Sequence, residues 1–329
     1  MVVFGFCLMT LALGVWRTTF ELYPAAQSFN KPVIDRLEVI ERAFPSPQAE
    51  LLSGILFGSQ QNLDYEWKNK MNLAGVRHVT AVSGANIILL AQVLVWLGVA
   101  LGLYRQWAAL SAAFLIWGYI FMIGWPPSAV RAGIMASLLL IAGALGRPNR
   151  TQRAVVLAGA IMLAFNPRLL LFDAGFQLSF LATFGLIYLA PLLRDWLASK
   201  RGFLQTGNLA EFLAINFSAW IFTLPLSVYY FGYFSPMSIA ANLFITPVVP
   251  LIMISGFLLL IVGSIWQPLA IAFAWPLNLP LNYFLQITDW FSPAALAYWQ
   301  FYFSGSILAV CYFGLIFWTW RWQKSRPFI

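Results

Sequence analysis

The stretch Leu171-Phe172-Asp173-Ala174-Gly175-Phe176-Gln177-Leu178-Ser179-Phe180-Leu181-Ala182 places an acid, an amide and a hydroxyl at the mouth of an otherwise apolar segment. Asp173 follows Pro167 by six residues, where a helix N-cap belongs. From Ala174 to Leu193 the chain is apolar enough to cross a hydrocarbon core as a helix. On that helix Gly175, Ser179 and Thr183 fall at i, i+4 and i+8, a strip of small residues that lets another helix approach closely. An ionised group at membrane depth costs on the order of 2.5–3.5 kcal/mol. Asp173 and Gln177 therefore mark either a functional path or a capped, tightly packed helix.

The composition agrees with a membrane setting. Hydrophobic residues make up 61% of the 329-residue chain and charged residues 9%, against roughly 25% charged in soluble chains. The expected fold is an all-α polytopic membrane protein. It has about ten transmembrane helices, with amphipathic interfacial helices after the first span. The expected spans are Val2–Trp16, Val79–Leu103, Trp107–Ile123, Ala129–Leu145, Arg153–Phe165, Ala174–Leu193, Leu209–Phe231, Met237–Val262, Gln267–Thr288 and Phe303–Trp320. Residues 1–16 form the first span, 17–77 an extracytoplasmic or interfacial segment, and 78–329 the polytopic body. Within 17–77, Ile34, Leu37 and Ile40 recur at helical spacing, as do Leu51, Ile55 and, loosely, Leu56, which predicts amphipathic helices lying on the membrane face.

Charge placement orients the chain. With the N-terminus inside, the inner loops collect Arg105, Arg147, Arg150, Arg194, Lys200 and Arg201, while Arg168 is the only basic residue in an outer loop after His78. By the positive-inside rule both termini are cytoplasmic. The two cysteines, Cys7 and Cys311, lie far apart, and His78 is the single histidine. No metal site, disulfide framework or cofactor is expected from them.

Four stretches interrupt the apolar body. In His78-Val79-Thr80-Ala81-Val82-Ser83-Gly84-Ala85-Asn86, Asn86 would lie roughly 10 Å into the bilayer, and Gly84 between polar neighbours predicts a helix that opens locally. Ser83, Gly84 and Asn86 should face the protein interior or water. In Trp125-Pro126-Pro127-Ser128-Ala129-Val130-Arg131-Ala132-Gly133, Ser128 reads as an N-cap with Arg131 at N3, beside a positive helix terminus. Something must compensate that cation. Snorkelling to headgroups is one answer. The other is an ion pair with Asp173, because the topology starts both spans on the outside; Gln177, one turn further in, is then within reach of the guanidinium or the path. The third stretch is the opening one. The fourth, Asn242-Leu243-Phe244-Ile245-Thr246-Pro247-Val248-Val249-Pro250, reads as a discontinuous helix broken near Pro247, its freed carbonyls turned to the same cavity as Asn86. A plain proline kink is the alternative.

Together these motifs resemble the ComEC competence family, the inner-membrane DNA channel of natural transformation. The resemblance runs from Leu51 to Trp320. It is carried by A-[IV]-S-G at Ala81–Gly84, S-x-V-R-A at Ser128–Ala132, G-F-Q-L-S-F-L-A at Gly175–Ala182 and N-L-x-x-x-P at Asn242–Pro247, in the family's order. It implies a multi-pass protein of the bacterial plasma membrane that imports single-stranded DNA, with no enzymatic activity of its own. Ser83, Gly84, Asn86, Ser128, Arg131, Asp173, Gln177, Ser179, Asn242 and Pro247 are then the residues of the DNA path or its polar supports. The implied partners are single-stranded DNA, the lipid bilayer, a surface DNA receptor, a separate nuclease and a cytosolic helicase. One departure is Asn86, where the family usually has a histidine; Asn keeps hydrogen bonding and loses titration. Full-length members often add OB-like and metallo-β-lactamase-like domains. Residues 17–77 show little strand patterning and the chain has no H-x-H-x-D motif, so a bare channel domain is expected.

Two other classes compete. A small-molecule or lipid transporter fits the composition, although no clear internal repeat marks an inverted-repeat carrier. An intramembrane serine protease would use Ser83 in Ala81-Val82-Ser83-Gly84. Its base is missing: His78 precedes Ser83 by five residues at a poor helical angle, and no lysine lies deep in a span.

Overall fold

The computed structural model describes residues 31–59, 63–80, 82, 84–144, 151–199, 207–292, 299–300 and 303–324. The expected first span, Val2–Trp16, and Ser83 lie outside them.

After helix α1 (Lys31–Ala43), helix α2 (Gln48–Phe57) forms the centre of the larger core. Leu51, Leu52, Ile55 and Leu56 are wholly buried. Helix α1 is amphipathic, with Glu38, Glu41 and Arg42 exposed and Ile40 buried, but α2 is not. The sequence QAELLSGILF has no polar face beyond its first turn, and a helix that is apolar all round belongs in an interior. Gly58, at φ +73°, ends α2 and returns its N–H to the Gly54 carbonyl at 2.8 Å.

Helix α3 (Tyr65–Leu73) and a 3₁₀ turn (Arg77–Thr80) lead into α4 (Gly84–Ala100), α5 (Arg105–Met122) and α6 (Pro127–Ala144). These three helices pack on one another. Small residues allow it: Ala108, Ala109, Ala112 and Ala113 of α5 are buried, and a methyl on Gly98 would come 2.9 Å from the Ala108 Cβ. Then follow α7 (Thr151–Phe165), α8 (Leu169–Phe172) and α9 (Ala174–Phe184), which continues through a π-turn (Gly185–Leu189) into α10 (Ala190–Ser199). Helix α11 (Gly207–Phe231) packs along both. Helices α12 (Met237–Ile245) and α13 (Val249–Ile265) meet at a 47° bend. Helices α14 (Gln267–Trp290) and α15 (Gly305–Lys324) complete the described chain. Among the described residues the architecture is all-α, apart from one antiparallel pairing of Tyr233–Phe234 with Trp299–Gln300.

Helix α2 is seated against α13, where Gly256 makes the room. A methyl on Gly256 would stand 2.8 Å from Leu52 Cδ1 and 2.9 Å from Leu56 Cδ1. Phe257, the next residue, packs on both the α2 core and the α4–α5–α6 core and so joins them.

Among the described residues, Ala174–Ser199 and Leu209–Phe231 are each long and apolar enough to cross a membrane, and α12 with α13 adds a third if the bent pair is one span. Gln48–Phe57, Asn86–Ala100, Ser128–Gly143 and Arg153–Phe165 are apolar but shorter. The expected spans of about ten came from hydropathy windows, which read through the points where the backbone leaves the helix. Val79–Leu103 is one example: its first residues form the 3₁₀ turn, and the α-helix starts only at Gly84.

Candidate functional site

Three of the four polar motifs meet where the N-terminal ends of α4, α6 and α9 are tied together. Helix α6 begins at Pro127, whose fixed φ suits the first helical position. Ser128 therefore lies inside the first turn and is not the expected N-cap. Its hydroxyl donates to the Val82 carbonyl at 2.7 Å, fixing α6 to the segment before α4. Gly84 faces α6 as well, and a Cβ there would make ordinary contact with Ala132 at 3.7 Å.

Arg131 crosses to α9. It is only 3% exposed, so it does not snorkel to a headgroup. Its Nη1 donates to the Gly175 carbonyl at 3.2 Å, and its guanidinium lies 5.8 Å from the centre of the Phe180 ring. The two helix starts are joined as expected, but the expected ion pair with Asp173 is not formed. Asp173 is the N-cap of α9: its Oδ1 accepts from the Phe176 N–H at 2.6 Å. A carboxylate satisfying a free N–H at a positive helix end is held twice over. It acts on Arg131 only at longer range.

Gln177 does not reach Arg131. Its Nε2 donates to the Leu170 carbonyl at 2.7 Å and its Oε1 accepts from the Tyr230 hydroxyl at 2.8 Å, so it binds α8, α9 and α11 together. The Ser179 carbonyl accepts from the Thr183 hydroxyl at 2.8 Å. A close backbone approach falls beyond the expected small-residue strip, at Gly185, where a methyl would come 2.4 Å from the Ser218 carbonyl oxygen of α11.

Asn86 faces the protein interior, 4% exposed, and its Nδ2 donates to the Ile55 carbonyl at 3.4 Å. The Tyr119 hydroxyl donates to the Leu56 carbonyl. Both carbonyls belong to the last turn of α2, which has no intrahelical partners for them. An unpaired carbonyl in an apolar interior costs about 1–3 kcal/mol, so Asn86 and Tyr119 are what allow a helix to end inside the bundle. Tyr119 was not among the expected site residues; its signal is a tyrosine inside an apolar run, where the hydroxyl needs a partner.

The helix break is present, with Pro247 between α12 and α13. Asn242 donates to the Ser238 carbonyl at 2.7 Å and to the Gly75 carbonyl at 3.4 Å. Nearby, Ser235 donates to the Leu73 carbonyl at 2.6 Å. Asn86 and Asn242 thus hold different parts of one segment. The backbone carbonyls of Ile55, Leu56, Leu73, Gly75 and Val82 accept from Asn86, Tyr119, Ser235, Asn242 and Ser128 respectively. Among the described residues no cluster of three or more metal-ligating His, Cys, Asp or Glu side chains occurs.

Apolar helices, two of them among the described residues long enough to cross a membrane, point to a membrane protein, in which five polar side chains hold backbone carbonyls between Ile55 and Val82. The model of the family described as "Competence protein" matches residues 55–325, and the chain belongs to that family. It is similar to ComE operon protein 3 of Bacillus subtilis (strain 168), with 27% identity over 203 residues, which cover 62% of this chain and 25% of that protein. The chain therefore spans about a quarter of the length of that curated relative. No solved structure matches it.

Proposed function

We propose that the chain is a channel that carries single-stranded DNA across the bacterial plasma membrane during natural transformation, without catalysing a reaction itself. Membership of the competence family supports a role in DNA uptake. The observation that carries the channel reading is the buried contact between Arg131 and the first turn of α9, beside the start of α4. A polar strand can pass an apolar bundle only where polar groups line its way, and helix starts with a buried cation favour an anion. Exposed aromatics near the same helix starts, Phe121 and Trp125, offer stacking faces for bases.

In this reading the shorter apolar helices also cross the membrane, both termini are cytoplasmic, and the bonds from Asn86, Tyr119 and Asn242 to residues 55–75 hold the path closed. One buried arginine guides a strand and does not grip it, so import relies on partners: a surface DNA receptor outside, a separate nuclease, and a cytosolic helicase. The test is deletion of the gene with capture and import scored separately. Surface capture of DNA should persist while import is lost. Unchanged import would refute the channel reading, and loss of uptake of a small solute or lipid in its place would favour a transporter.

A further inference from the structure

Helix α15 carries Cys311, Gly314, Leu315 and Trp318 at i, i+3, i+4 and i+7, along one face. Between that face and Ile221 and Pro225 of α11 lies a cavity of about 390 Å³. Its lining side chains are apolar or aromatic apart from the Cys311 thiol. Two hydrogen bonds hold the gap open. The Tyr312 hydroxyl donates to the Phe222 carbonyl at 3.0 Å, and Gln323 Nε2 donates to the Tyr188 carbonyl at 3.2 Å. They brace α15 on either side of Gly314 and Trp318. Gly314 sends no side chain into the gap, and a Cβ there would meet nothing within 4 Å. An unfilled gap forfeits dispersion contacts on its whole lining, which favours an occupant.

The shape of the gap selects that occupant. Cys311 to Trp318 is about 10 Å along the helix at 1.5 Å per residue, so the cavity averages roughly 40 Å² in cross-section. A helix with its side chains is about 10–12 Å across, roughly 80–110 Å². A further helix is too wide for the groove, and an alkyl chain is not.

Charge at one end selects the rest of the molecule. Arg321 follows Trp318 by three residues, on the adjoining position of the same face, and Lys324 lies one turn further. Both are exposed, and among the described residues neither forms an ion pair within 4.0 Å. Trp318, Trp320 and Trp322 set this end of α15 at the level of lipid headgroups. The groove thus runs from a cationic rim at the interface into the hydrocarbon, and a guanidinium fork suits phosphate oxygens.

We infer that α11 and α15 form a binding site for one anionic phospholipid. An acyl chain fills the groove over Gly314 and the headgroup phosphate meets Arg321, with Lys324 adding positive charge. The site rests on the membrane setting and not on the DNA-import reading.

The test uses the full chain in nanodiscs of equal phosphatidylglycerol and phosphatidylcholine, with native mass spectrometry of the released protein reading the lipid that stays bound. Wild-type protein should retain one phosphatidylglycerol, preferred over phosphatidylcholine by at least about fivefold, the effect of one basic side chain near an anionic surface. Gly314→Leu puts a side chain into the open space of the groove and should lose the retained lipid. Leucine is also the better helix former, so the helix itself is not weakened. Arg321→Gln, at the exposed rim, should keep a lipid bound but reduce the preference for phosphatidylglycerol about fivefold. It carries the test if Gly314→Leu fails to fold. A folded Gly314→Leu protein that retains the same lipid as wild type overturns the site, as does an Arg321→Gln protein with an undiminished preference. Release of wild type as a dimer that Gly314→Leu separates would put a second copy in the groove and overturn the lipid assignment.

Discussion

The Arg131 guanidinium donates to the Gly175 carbonyl while the Asp173 carboxylate, two residues earlier, accepts from the Phe176 N–H. The two side chains serve one junction through different atoms. Asp173→Ala should therefore destabilise the protein by about 1 kcal/mol, the loss of an N-cap. A double-mutant cycle with Arg131→Gln should give a coupling energy below about 1 kcal/mol, as for charges that share no contact. Denaturant unfolding in detergent measures both, and a coupling of several kcal/mol would restore a direct ion pair.

That junction shows how much the sequence discloses. The all-α class, the Asp173 cap, the inward Asn86 and the break at Pro247 all rest on local signals: hydropathy, a capping residue, a polar group in an apolar run and two prolines. The partners do not. Ser128 bonds the Val82 carbonyl and Asn86 the Ile55 carbonyl, and a backbone carbonyl carries no mark in the sequence. Burial of α2 was hidden for a different reason: Leu51, Ile55 and, loosely, Leu56 fit an amphipathic stripe, but Leu52 and Phe57 are buried as well.

The buried end of α2 depends on two side chains. Tyr119→Phe leaves the Leu56 carbonyl without its donor and should cost about 1–3 kcal/mol. Asn86→Leu should cost less, because its bond to the Ile55 carbonyl is 3.4 Å long. Chemical unfolding of the two variants orders them; the reverse order would show that Asn86 is the main support of the α2 terminus.

The two long helices meet backbone against backbone at Gly185. A methyl there meets the Ser218 carbonyl oxygen at 2.4 Å, and backbone cannot move aside cheaply. Gly185→Ala should destabilise by about 1–3 kcal/mol through overpacking. Gly143→Ala, with nothing within 4 Å, should be neutral or stabilising by up to about 1 kcal/mol as a better helix former. Thermal unfolding compares them, and equal effects would remove Gly185 as the contact point.

Helix α3 is clasped to the end of α14. Lys70 Nζ lies 2.8 Å from Asp289 Oδ1 and 2.9 Å from Glu66 Oε1. The hydrogen bonds to Asp289 and then Glu66 raise the lysine above its ordinary pKa. A raised pKa stabilises the fold fully below the ordinary lysine value and loses that contribution as pH rises through the folded value. Stability should thus show no Lys70-dependent change around neutral pH and fall in the alkaline range, a fall that Lys70→Met removes. Unfolding measured against pH checks this; a Lys70-dependent transition near neutrality would contradict it.

The most direct measurement of the channel claim is strand passage in a purified system. The chain is reconstituted into liposomes, labelled single-stranded DNA is added outside, and the label that becomes protected from external nuclease is counted. The account predicts protection of single strands that depends on the protein, with duplex of the same sequence left outside. Equal protection in liposomes with and without the protein would contradict it.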